Sequence, residues 1–93
     1  MPGKGNQSGH ENRLVLEIIV NGQPTEVEAN LNAPLHTVIP LALAQTGNAG
    51  QPPENWELRD TAGVVLALDK KIEEFQFPAN TRLFLNLRAG IGG

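Results

Sequence analysis

The chain has 93 residues, a formal net charge of −3 and no cysteine. That length carries one domain with a single small core, in which each core residue matters. The acidic balance argues against a nucleic-acid binder, which would show a basic stripe, and the lack of cysteine excludes a disulfide framework, thiol catalysis and cysteine-ligated metal.

Along the chain, residues 1–12 are Gly, Asn, Gln, Ser and His with almost nothing apolar. Such a segment buries too little surface to offset its ordering entropy, and a disordered arm is expected. It has no apolar stretch of the secretory-signal type, and no apolar run in the chain approaches the roughly 20 residues that cross a bilayer. A cytoplasmic protein is expected. Residues 13–20, RLVLEIIV, alternate and are rich in β-branched side chains, so a strand is predicted with Leu14, Leu16, Ile18 and Val20 on its core face. Asn21-Gly22 is a hairpin signal, because both residue types tolerate positive φ. PTEVEANL returns as a second strand, with Val27 and Ala29 inward and Pro24 marking an edge or a start.

NAPLHTVIPLALAQTG reads as the main helix, with Pro34 in its first turn and Gly47 at its end. Leu35, Val38, Ile39, Ala42 and Leu43 share one side at helical spacing. Pro40 lies inside this run and should kink the helix or split off its first turn. Further on, WELRD and VVLALD read as short strands, KKIEEFQFPAN as a short helical turn and loop, and TRLFLNL as the last strand, with Leu83, Leu85 and Leu87 inward. The fold class expected is α+β: a mixed sheet of four to five strands, one main helix across one face and a short second helical turn. The first and last strands are the most apolar, and are expected side by side and parallel at the centre. The domain is expected to span residues 13–88, with residues 89–93 as a flexible tail.

Most polar features have a plain structural reading. His10 and His36 lack partners at metal or triad spacing. Glu26 and Glu28, with Glu17 on the neighbouring strand, read as an exposed sheet face rather than a paired-carboxylate site. GNAGQPPEN has neither the Lys-Ser/Thr nor the helix of a phosphate loop. Lys70-Lys71 beside Asp69, Glu73 and Glu74 is a solvated, self-neutralising turn. Trp56 is expected in the core. The apolar arc of the helix is wider than one sheet-facing stripe needs: Ile39, Leu41 and Leu43 cannot all face the sheet. Val15, Ile19 and Phe84 add apolar groups to the other sheet face. These six residues are candidates for an interface used in self-association or in docking an activating enzyme. The competing reading is that the loop at 47–55 folds over the helix.

In the order and spacing of these segments, residues 13–93 resemble ubiquitin-like β-grasp proteins. From Gly63 to Arg88 the sequence lies on ubiquitin without a gap. Ile72, Phe75 and Phe77 fall around the short second helix, and LFLNLR falls on the alternating final strand with its tail arginine. PPEN, Pro52 to Asn55, resembles the Pro-Pro-acidic stretch after ubiquitin's main helix. EIIVNGQPTEVEAN and TRLFLNLRAGIGG are similar to the ubiquitin-like proteins of bacterial operons that also encode E1-like and E2-like enzymes and a peptidase. The departures are specific. Ubiquitin's exposed leucine–isoleucine–valine patch is not reproduced, with Arg59 or Asp60 and Asn86 at two of its positions. Its two best-known chain-forming lysines fall on Val64 and Ala79.

The resemblance implies a protein modifier, not an enzyme. Gly93 would be adenylated by an E1-like enzyme and passed as a thioester to an E2-like enzyme. It would then be joined to an amine of a target protein and released by a deconjugating peptidase. Some such operons are linked to antiphage defence. ATP and magnesium would serve the activating enzyme, and the chain itself would hold no cofactor or metal. Gly92 would be the required neighbour, since a Cβ there restricts the path into a narrow channel. Arg88, Ala89, Gly90 and Ile91 would form an extended recognition tail, with Arg88 gripping a carboxylate at its base. Two other functions fit less of the sequence: a sulfur carrier ending in a thiocarboxylate, and an oligomerising interaction module without chemistry.

Overall fold

The computed structural model describes residues 12–90. Most of the N-terminal arm (residues 1–11) and Ile91, Gly92 and Gly93 lie outside the described residues.

Local sequence explains most of the elements. Strands β1 (Arg13–Val20) and β2 (Gln23–Asn30) pair antiparallel, with Val20 opposite Gln23 and Arg13 opposite Asn30. Asn21 and Gly22 join them at φ +50° and +87°, a two-residue turn whose twist matches the strands it connects. The predicted helix is split. A 3-10 turn over Leu35–Thr37 precedes α1 (Val38–Gln45). Pro40 therefore falls in the first turn of α1, where a missing N–H costs no helical bond. The helix ends as its glycine predicts: Gly47 has φ +75°, and the Gly47 and Asn48 amides donate to the Ala44 and Leu43 carbonyls. A second 3-10 turn, Pro53–Asn55, leads into β3 (Trp56–Arg59), and α2 (Ile72–Phe75) precedes β4 (Arg82–Leu87).

The sheet has four strands in the order β2-β1-β4-β3. β4 runs parallel to β1, with Ile18 beside Leu83, and antiparallel to β3, with Leu58 beside Leu85. The first and last strands thus meet at the centre. α1 packs across one face of the sheet against β1 and β2. Leu16, Ile18, Val20, Val27, Ala29, Leu58, Leu83 and Leu85 meet Leu35, Val38, Ile39, Ala42 and Leu43 there, and all are buried.

One predicted strand is not formed. VVLALD makes a single bridge, Val65 with Arg59, rather than a fifth strand. Beyond it the Leu68 and Lys70 carbonyls accept from the His36 and Leu35 amides at 2.9 Å. The segment is drawn off β3 toward the start of the helix, and Val64 and Val65 stay half exposed.

Candidate functional site: the tail base and the outer sheet face

The tail leaves the domain from an interior strand. After Leu87, whose partner is Trp56, the Arg88 amide donates to the Asn55 carbonyl at 2.9 Å and extends the ladder by one bond. Arg88 Nε donates to the Trp56 carbonyl at 3.3 Å. The base of the tail is thus held by backbone acceptors. No carboxylate lies within ion-pair distance of Arg88 among the described residues. Ala89 and Gly90 then turn, with Gly90 at φ +86°. The first two residues of the expected extended segment are therefore bent. A Cβ at Gly90 would meet nothing within 4 Å, so its backbone angle, and not crowding, favours glycine.

The six candidate interface residues separate into three places. Ile39 and Leu43 are core residues, each 1% exposed, and cannot meet a partner in the folded domain. The Pro53–Asn55 turn packs against α1 and helps to cover that side of the arc. Leu41 is 49% exposed, on the helix side of the domain. On the opposite, outer face of the sheet, Ile19 and Phe84 are register partners and half-buried, with Pro24 beside Ile19 and Arg59 beside Phe84. Val15, further back along β1 on the same face, is 48% exposed.

Charged groups surround this apolar row and neutralise one another. Arg13 pairs with Glu28 at 3.3 Å, Glu17 with Arg82 at 2.7 Å and Glu57 with Arg59 at 2.7 Å. Glu17 lies directly opposite Glu26. Two of the three glutamates that could have formed an acid–base pair, Glu17 and Glu28, are thus held by arginines. Among the described residues no cluster of histidine and carboxylate groups could hold a metal ion. Trp56 is 1% exposed and forms part of the core. Lys70 sits 4.8 Å from the Phe75 ring centroid, and Phe75 stacks on Phe77 at 4.9 Å.

One feature has no counterpart in the pattern of the sequence. A groove beside the tail base is lined by Ile39, Pro40, Pro53, Leu68 and Arg88, with His36 and Glu54 at its edge. These residues come from separate segments, and the only local signal is the recurrence of proline.

The fold is that of ubiquitin. A de novo design based on ubiquitin matches with a TM-score of 0.70 at 22% identity, over 88% of this chain and 96% of that one. Ubiquitin of Caldiarchaeum subterraneum matches with a TM-score of 0.67 at 23% identity, over 87% and 99%. A chain of a phosphorylated Parkin–ubiquitin–UbcH7 complex matches with a TM-score of 0.66 at 22% identity, over 84% of this chain and 23% of that one. Proteins of this fold are typically substrates or modifiers rather than enzymes. The chain belongs to the family described as Protein of Unknown function (DUF2604), which matches residues 9–93. It is 51% identical over 92 residues to the uncharacterized protein y4jI of Sinorhizobium fredii (strain NBRC 101917 / NGR234), covering 98% of this chain and 71% of that one. No helix among the described residues is long and apolar enough to cross a membrane.

Proposed function

We propose that the protein is a cytoplasmic bacterial ubiquitin-like modifier activated at Gly93. The carboxylate oxygen attacks the α-phosphorus of ATP and pyrophosphate leaves. A thiolate of the E1-like enzyme attacks the resulting acyl-adenylate and AMP leaves. The thioester passes to an E2-like enzyme. A target amine then attacks its carbonyl carbon, the thiolate leaves, and the amine proton goes to a base. Each catalytic group belongs to a partner. This chain supplies a carboxylate on a residue without a Cβ, with Gly92 before it, so that the backbone fits a narrow path. The observation that carries the reading is the ubiquitin-like fold with β4 inside its sheet, which hands the chain from Arg88 into the sequence Ala-Gly-Ile-Gly-Gly.

The test mixes the protein with the E1-like enzyme encoded beside it, ATP and magnesium, and weighs the products intact without reductant. A thiol-sensitive enzyme adduct that disappears when Gly93 is deleted is expected, followed by transfer on adding the E2-like protein. No adduct with a competent enzyme overturns the reading. A free chain heavier by an oxygen-to-sulfur exchange, formed in the presence of a sulfur donor, replaces it with the sulfur carrier.

A further inference from the structure

We propose that the groove beside the tail base is a docking site for a segment of another protein that presents a branched apolar side chain next to a carboxylate. The groove encloses about 400 Å³, within the range that holds a side chain and its flanking backbone. Ile39 and Leu68 supply apolar surface, and Pro40 and Pro53 line it with rings of fixed φ. The His36 amide, bonded to the Leu68 carbonyl at 2.9 Å, ties the 64–70 segment to the start of the helix. A groove built this way is preformed, and little ordering opposes binding.

Charge selects the occupant. Of the four arginines in the chain, Arg13, Arg59 and Arg82 are each held by a glutamate. Arg88 has no carboxylate partner among the described residues, in a chain with ten acidic and seven basic side chains. Its Nε is fixed on the Trp56 carbonyl, and its terminal nitrogens make no hydrogen bond among the described residues. That geometry suits a two-pronged grip on an incoming carboxylate. Glu54, on the same groove, makes no ion pair there and accepts an N–H from the occupant's backbone. A purely apolar ligand would leave Arg88 unused, and a purely anionic one would leave the groove unfilled. The inference holds whether or not Gly93 is activated.

The test is an amide NMR titration of the full chain with the probe acetyl-Leu-Asp-amide. Saturable shifts confined to His36, Glu54, Leu68, Arg88 and their neighbours are expected, with acetyl-Leu-Asn-amide and acetyl-Gly-Asp-amide each about tenfold weaker. Arg88→Gln should erase the preference for Asp over Asn while the β1–β2 amides keep their positions. Shifts of equal size for all three probes, or none at these residues, overturn the proposal. Removing residues 91–93 should leave the affinity unchanged. Tighter binding after that truncation overturns the proposal in favour of the chain's own Ile91 and terminal carboxylate as occupant.

Discussion

The two faces of the sheet are built from the same four strands with the same period, yet they do different work. On the inner face Leu16, Ile18, Val20, Val27, Leu58, Leu83 and Leu85 are each at most 1% exposed. On the outer face the intervening positions carry three ion pairs and a short apolar row, Pro24, Ile19 and Phe84. Alternation confines the hydrophobic driving force to one side, because neighbouring side chains of a strand point to opposite faces. The outer side is left to carry recognition with little bearing on stability.

The largest expected effect tests that division directly. Leu85 and Phe84 are neighbours on β4 and face opposite ways. Leu85 lies between Val20 and Leu58 and is fully buried. Leu85→Ala should cost about 2–5 kcal/mol, which lowers the melting temperature by at least roughly 10 °C in a domain this small. Phe84→Ala should cost no more than about 1 kcal/mol. Thermal and urea unfolding measure both. A loss for Phe84→Ala as large as that for Leu85→Ala breaks the comparison.

The same contrast recurs on α1. Leu43 is buried against the sheet and Leu41 is half exposed, so Leu43→Ala should cost about 2–5 kcal/mol and Leu41→Ala within about 0.5 kcal/mol. Leu41 and the Ile19–Phe84 row remain the surfaces open to self-association. Sedimentation at rising concentration separates them. If copies associate, either Leu41→Glu or Phe84→Glu should abolish the association without lowering the melting temperature. A wild-type chain that stays monomeric at high concentration removes self-association from both.

How far the sequence shows this depends on whether the cause is local. The Asn21-Gly22 hairpin, the split at Pro40 and the helix end at Gly47 follow from the backbone limits of single residues, and each was legible. The pairing of β1 with β4 was legible because both are unusually apolar. VVLALD has the composition of a strand, but hydrogen bonds from Leu35 and His36, some thirty residues earlier in the chain, turn it away from the sheet. The exposure of the helix arc was overestimated for a similar reason. Ile39 and Leu43 seemed surplus to one stripe, but the stripe packs on the sheet while the Pro53–Asn55 turn also packs against the helix. The groove was not legible, because His36, Pro53, Leu68 and Arg88 meet only in three dimensions. Gly92 and Gly93 were singled out by chemistry and by resemblance, and lie outside the described residues.

The smallest expected effect sharpens the picture of the outer face. Glu17 accepts from Arg82 Nε at 2.7 Å, and its side chain is 34% exposed. A pair this open to solvent is screened and contributes about 0.2–1 kcal/mol. Glu17 also faces Glu26 directly across the β1–β2 ladder, and like charges placed so repel. Glu17→Gln removes attraction and repulsion together, so its net loss should fall below about 0.5 kcal/mol. Glu26→Gln removes only the repulsion, because no ion pair holds Glu26 among the described residues. It should stabilise the fold by a few tenths of a kcal/mol. Both differences should fade in about 1 M salt, where the screening length is roughly 3 Å. A larger, salt-independent loss in Glu17→Gln would mean that the carboxylate orders β1 against β4 through hydrogen bonding, and the outer face would then share in holding the sheet together.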